Sequence, residues 1–210
     1  MTTFDPGCRR CQRLADFLDE VATRHPDYHC RPVPPFGAQR SRLLIVGLAP
    51  GLHGANRSGR PFTGDHAGIL LYRTLYDHGF ASAPVSEALD DGLALRDCRI
   101  TNAVKCLPPQ NKPVAAEINN CNAFLRAELE FLPARAVVLA LGLIAHKAVI
   151  SAFDLRQAAH KFGHAREHPL PGERLLLDSY HCSRYNTQTR RLTGPMFQQV
   201  FARARELIDT

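Results

Sequence analysis

The chain has no apolar run of about 18 residues or more, which argues against a membrane-spanning helix. Its N-terminus, MTTFDPGCRRCQRL, lacks the apolar core of a secretory leader, so the expected compartment is the cytoplasm, at the nucleoid. There is no internal repeat and no low-complexity tract. Neither nucleotide-cradling pattern occurs, G-x-G-x-x-G or G-x-x-x-x-G-K-S/T, which weakens a phosphate-loop enzyme. Lysine is scarce: Lys105, Lys112, Lys147 and Lys161 are the four among 26 basic residues. What remains is ordinary globular composition, 45% apolar and 22% charged, and the 210 residues are expected to form one domain.

The charge balance is basic, +6 with histidine neutral, and carried by arginine. The planar guanidinium fork pairs well with phosphate. The balance therefore permits nucleic acid, while a basic surface kept for solubility explains it equally well. Seven cysteines are many for a cytoplasmic chain, and the odd count argues against a disulfide framework. Cys8 and Cys11 form a C-x2-C pair, Cys106 follows an apolar segment, and Cys121 comes fourteen intervening residues later. Four thiolates suit either a tetrahedral zinc or an iron–sulfur cluster. Cys30, Cys98 and Cys182 have no partner spacing and read as small buried residues.

Apolar spacing predicts a helix over 12–24, followed by a proline-rich connector, RPVPPFGAQ. SRLLIVGLA reads as a buried strand entering a loop. AGILLYRTLYDHGF reads as a helix stopped at Gly79. CRITNAVK, RAVVLALG and RLLLDSYH read as further strands. VAAEINNCNAFLRAELEFL, with Pro113 expected in its first turn, LIAHKAVISAF and GPMFQQVFARARELI read as helices. Alternating strands and helices imply a three-layer α/β/α fold around a mostly parallel four-stranded sheet. Ligands in such folds sit at the carboxyl ends of the strands. Here those ends are VGLAPG, TNAVKC, ALG and SYHCSRYN.

The longest of these loops, GLAPGLHGANRSGRPFTGD, runs from Gly47 to Asp65 with one phenylalanine and one carboxylate. Over nearly its whole length it resembles the first active-site motif of the family 5 uracil-DNA glycosylases. ITNAVKCLPPQNKP is similar to the middle motif of that family, and SYHCSRYNTQTRRLTGPMF to its last. Leu48 stands where the neighbouring family 4 carries an acidic residue. Two positions depart from the pattern, Cys182 for proline or valine and Tyr185 for glutamine, both in the stretch expected to insert into DNA. The resemblance covers residues 8 to about 198. It implies a monofunctional hydrolase, acting as a monomer, that removes uracil and other deaminated bases such as hypoxanthine from DNA. It also implies a 4Fe–4S cluster on Cys8, Cys11, Cys106 and Cys121.

The residues are open to that chemistry. A glycosylase holds an extruded base in a tight pocket, and glycines let backbone approach base and sugar. The resemblance places Gly47 and Leu48 against the base and makes Phe62 the stacking face; the plainer reading of Phe62 is a core anchor. Asp65 suits cation stabilisation at the sugar and activation of water. It also suits the cap of the next helix. Asn102 offers a donor and an acceptor for the edge of uracil, or simply ends a strand. His181 suits a donor to the departing base. Ser183 and Asn186 are expected on phosphate, and Arg184 or Tyr185 in the gap left by the flipped base. Lys105, Lys112, Arg190 and Arg191 are expected on a basic rim. His53, Asn56 and Arg57 take no assigned role. No lysine stands where a Schiff-base nucleophile would. A non-catalytic nucleic-acid binder with a structural metal at the four cysteines is the competing class.

Overall fold

The computed structural model of the chain describes residues 4–210. In chain order the elements are α1 (Gln12–Arg24), β1 (Phe36–Gly37), β2 (Leu43–Gly47), α2 (Ala55–Ser58), α3 (His66–Asp77), β3 (Cys98–Asn102), α4 (Ala115–Glu130), β4 (Val137–Leu141), α5 (Leu143–Ala152), β5 (Glu167–Leu170), β6 (Arg174–Ser179), α6 (Arg184–Gln188) and α7 (Gly194–Asp209). The strands form one sheet in the order β1-β3-β2-β4-β6-β5. β3, β2, β4 and β6 are mutually parallel, and β1 and β5 add antiparallel edges.

The four expected strands are thus the centre of the sheet. The two edges escape sequence reading because they carry little pattern. β1 is two residues inside the proline-rich connector, and β5 contains Pro169, which an edge strand tolerates and a central one does not. Pro113 lies just before the helix cap Val114 rather than in the first turn of α4, where the Glu117 carboxylate accepts from the Val114 N–H at 2.8 Å. The stop at Gly79 fits its φ of +74°, beyond the cap His78. α2 and α6 are short helices inside stretches read as loops.

Side-chain alternation builds the layers. Along β2, Leu43 and Ile45 point to one face and Leu44 and Val46 to the other. On the first face they meet Leu71 and Leu75 of α3 and Phe197 and Phe201 of α7. On the second they meet Leu125 and Leu129 of α4 and Ala145 and Val149 of α5. Both faces being covered explains why the central strands are continuous apolar runs. α1 packs Leu14, Leu18 and Val21 against Val104, Leu107 and Cys121 in a separate cluster at one end.

The parallel register aligns Gly47 with Asn102, and Leu141 with Ser179. All four parallel strands therefore end on one rim. Among the described residues, no helix is long and apolar enough to cross a membrane.

Ile45 is fully buried in this sheet, while Ile69 on α3 is 70% exposed. Ile45→Ala should lower unfolding free energy by about 2–5 kcal/mol. Ile69→Ala should change it by no more than about 0.5 kcal/mol. Urea unfolding of the two variants checks this; equal losses would contradict the layer assignment.

Candidate active site

A cavity of about 360 Å³ opens at the rim. Leu48, Phe62, Asp65, Asn102, His181 and Ser183 line it, contributed by all three candidate motifs. Gly47 is not in the lining; it packs behind Phe62 and Asn102. A Cβ on Gly47 would lie 2.6 Å from Phe62 Cζ and would collide with Asn102 Oδ1. Asn111, near the end of the middle motif, also lines the cavity and was not singled out from sequence.

Phe62 is 6% exposed and has φ of +56°, a left-handed conformation that a bulky residue adopts only under constraint. The constraint is visible on both sides. Tyr72 Oη donates to Pro61 O at 2.7 Å, and Ser58 Oγ donates to Thr63 O at 3.2 Å. Arg60, itself 3% exposed, pairs with Asp91 at 2.7 Å and donates to Ser86 Oγ at 3.1 Å. Sequence reading missed Arg60 because its role depends on partners about 30 residues away. The Phe62 and His181 rings lie 6.0 Å apart, centroid to centroid, at 30°.

Asp65 is both helix cap and cavity wall. Its Oδ1 accepts from the Gly68 N–H at 2.8 Å, at the N-terminus of α3. Its Oδ2 faces Gly51 and Gly54; a Cβ on Gly54 would lie 2.6 Å from that oxygen. A carboxylate has two oxygens, so capping occupies one and leaves the other at the cavity. Burial raises the carboxyl above its ordinary value, against the lowering effect of the helix N–H groups.

Two polar atoms on residues that line the cavity have no partner in the protein. Asn102 Oδ1 and His181 Nδ1 are buried and unbonded. Such atoms cost about 1–3 kcal/mol each unless a ligand satisfies them. Burial holds the His181 imidazolium down, to about 4, so the ring is neutral near pH 7.

The last motif divides. Cys182 is fully buried in the core beside Phe197 and Leu192, so it does not belong to a DNA-inserting surface. Burial, then nearby Asp65, pushes its thiol up. Ser183 caps α6, accepting from the Asn186 N–H at 3.3 Å. Asn186 Nδ2 donates to His181 O at 2.8 Å, so that amide braces the His181 loop. Arg184 and Tyr185 face solvent, Tyr185 at 71% exposure. Arg190, Arg191 and Lys112 are exposed, with Arg191 stacked over Tyr180 at 4.8 Å. Lys105 does not join them: it is 1% exposed and paired with Glu128 at 2.6 Å. His53, Asn56 and Arg57 lie outside the cavity lining; His53 bonds Tyr28 Oη at 2.9 Å, and Asn56 Nδ2 lies 3.5 Å from Cys30 Sγ.

Cys8, Cys11, Cys106 and Cys121 come together where α1, the loop after β3 and α4 meet. All are free thiols. Burial pushes Cys106 up to about 12, with the other three thiols adding to the rise. A donor approaches one of the sulfurs: Asn120 Nδ2 lies 3.4 Å from Cys11 Sγ. Among the described residues, the trio of possible ligand atoms within 4.8 Å of one another is His146, His168 and Asp178, not any three of these sulfurs. Tetrahedral zinc at bonds of about 2.3 Å needs sulfurs roughly 3.8 Å apart. Four thiols at one end of the domain are a donor set for a metal or an iron–sulfur group. The His–Asp trio is an internal hydrogen-bond network: Asp178 Oδ1 meets His146 Nδ1 at 2.8 Å, and Oδ2 meets His168 Nε2 at 3.2 Å. It ties α5 to the β5–β6 edge.

Fold and cavity together define an α/β protein with a rim pocket where an aromatic ring, a side-chain amide, an imidazole and a carboxylate meet. Comparison with known proteins narrows the class. The model of the uracil DNA glycosylase superfamily matches residues 34–205, and the chain belongs to that family. It is 48% identical to a type-5 uracil-DNA glycosylase of Thermus thermophilus, over 96% of this chain and 94% of the relative. It is 42% identical to a type-5 uracil-DNA glycosylase of Pyrobaculum aerophilum, over 94% and 88%. A type-4 uracil-DNA glycosylase of the same organism is 36% identical over 65% of this chain and 61% of the relative. The wider match to type-5 relatives agrees with Leu48 at the position that separates the two branches.

The buried imidazole sets a pH dependence. Unfolded, His181 titrates near 6.5; folded, near 4. Between those values the unfolded chain takes up a proton that the folded chain refuses. His181 therefore favours folding fully above about pH 6.5 and progressively less towards about pH 4. Asp65, raised by burial, offsets part of this loss. Denaturation midpoints across this range should fall less steeply for His181→Ala than for the wild type. Parallel curves would mean that the ring is not a buried neutral group.

Proposed function

We propose that this protein is a monofunctional uracil-DNA glycosylase that hydrolyses the N-glycosidic bond of uracil in DNA and leaves an abasic site. The observation that carries this reading is one cavity holding Phe62, Asp65, Asn102 and His181, with unpartnered polar atoms on two of them. An extruded uracil stacks on Phe62, a contact worth roughly 1–3 kcal/mol for a base on an aromatic ring. Its N3–H meets Asn102 Oδ1, and its carbonyl meets the Asn102 amide hydrogens. Gly47 gives the base room, and Leu48 closes one wall.

Bond breaking develops positive charge at the sugar and negative charge on the base. Asp65 Oδ2 stabilises the first and orients the attacking water, and its raised basicity suits proton removal. A neutral ring N–H of His181 stabilises the second. Water supplies hydroxide to the sugar carbon, the bonding pair leaves with the base, and the water's proton ends on Asp65 or the base. No lysine lines the cavity among the described residues, so strand cleavage through a Schiff base is not expected.

Leu48 offers no side-chain hydrogen bond to select one base, which supports acceptance of other deaminated bases such as hypoxanthine. Arg184 and Tyr185 present free side chains at the mouth, for the gap in the duplex; Ser183 and Asn186 face the phosphates from the start of α6. The cavity is complete within one chain, which supports a monomer. A DNA substrate supports work at the cytoplasmic nucleoid.

Cys8, Cys11, Cys106 and Cys121 would hold a 4Fe–4S cluster, which supplies a structural tie between α1, the loop after β3 and α4. Protein purified without air should be brown, with iron and sulfide in near four-to-four ratio. A colourless protein with one zinc would overturn this assignment.

Asparagine caps a helix about as well as aspartate. Asp65→Asn should therefore stay folded, bind DNA and lose most of its excision rate. His181→Ala should lose about 2.7–4 kcal/mol of barrier lowering. Single-turnover excision from a uracil-containing duplex, with melting curves beside it, checks both. Near-wild-type excision by Asp65→Asn would leave that residue as a cap alone. Wild-type protein that binds such DNA and leaves no abasic sites would favour the non-catalytic class.

A further inference from the structure

The Asn102 side chain accepts no hydrogen bond from the protein, and its Oδ1 is buried without a partner. A side-chain amide not held by bonds of its own takes its aim from the backbone that carries it. That backbone has two supports. On the cavity side it continues the parallel ladder past β2: Ala103 N–H donates to Gly47 O and Val104 N–H to Leu48 O, each at 2.9 Å. On the far side, Thr101 Oγ1 donates to Glu128 Oε1 at 3.0 Å, and Lys105 Nζ donates to the same oxygen at 2.6 Å and to Thr101 Oγ1. Thr101 and Lys105 flank Asn102 and converge on one carboxylate of α4.

Lys105 also holds the segment through its main chain. Its carbonyl accepts from the Val33 N–H at 2.7 Å. Three residues thus lie between Asn102, in the cavity, and Cys106, in the thiol cluster, and the residue next to Cys106 is tied to α4 through its side chain. A lysine at 1% exposure has no contact with solvent or DNA to account for it.

We propose that the Thr101–Lys105–Glu128 clamp is a positioning device for base recognition: it fixes segment 101–105 so that Asn102 presents its amide to the base at a set angle. This rests on the proposed reading of the cavity as a uracil site. Removing the clamp leaves stacking on Phe62, Asp65 and His181 in place and loosens only the edge reading. The expected signature is lost discrimination. Misplacement of a positioning group by about 1 Å costs on the order of 100-fold. Uracil, which needs the amide, should lose at least ~10-fold in rate, while a base that cannot use the amide should lose little.

Replacing one charge of a buried pair strands the other, whereas replacing both with apolar side chains of similar length is often tolerated. The test is therefore the double variant Lys105→Met/Glu128→Met, in which Arg99, which also meets Glu128 at 3.4 Å, keeps the Gly37 carbonyl as a partner, with Thr101→Val as a milder removal of one tether. Single-turnover rates are compared on duplexes holding uracil or 3-methyluracil, whose N3 cannot donate, alongside iron content and melting temperature. Support is a folded, iron-loaded variant whose preference for uracil over 3-methyluracil collapses at least ~10-fold. A folded variant that keeps the wild-type preference overturns the proposal, as does a uniform fall on both substrates. If the double variant does not fold, Thr101→Val decides by the same ratio. Wild-type protein inactive on both substrates would instead overturn the reading of the site as a glycosylase.

Discussion

The bare α-carbon of Gly47 is the constraint around which the site is built. It ends the central strand β2, pairs in register with Asn102, and lies under the Phe62 ring. Any side chain there would displace either the ring or the amide. Gly54 serves Asp65 in the same way, by leaving space beside its Oδ2. The density of glycine in the first loop is thus a packing requirement. Stacking face, reading amide and carboxylate converge only because the backbone carries nothing at those points.

Around that convergence the molecule accepts local cost. Phe62 sits at positive φ, and buried polar atoms on Asn102 and His181 go unpaired. Costs of this kind persist where surrounding structure over-determines the conformation. Here the surroundings are the Arg60–Asp91 pair, the Tyr72 hydroxyl on Pro61 and the Asn186 amide on His181. The site is preorganised by neighbours that never touch the cavity.

Asp65 shows why a structural and a functional reading of one residue need not compete. One oxygen holds the Gly68 N–H and the other faces the cavity. The helix that the first oxygen caps is also what fixes the second. Lys105 shows the reverse: a charge expected on a basic rim lies in the interior, paired with Glu128. Charge identity is visible in sequence, but the depth at which a lysine sits depends on whether a carboxylate from another element meets it.

Much was legible in the residues themselves. Apolar spacing located the four parallel strands and the long helices, because burial on both sheet faces imposes continuous apolar runs. Motif resemblance singled out Phe62, Asp65, Asn102 and His181, and the structure brings all four to one cavity. Only the tertiary structure decided the rest. Edge strands β1 and β5 exist because neighbouring strands offer free hydrogen-bonding groups, not because of their own pattern. Cys182 is a core residue because its loop turns inward, Arg60 matters through partners distant in sequence, and Asn111 lines the cavity because its turn folds over the rim. A linear sequence carries local propensity and chemical identity; which groups meet, and which are left without a partner, is set by long-range packing.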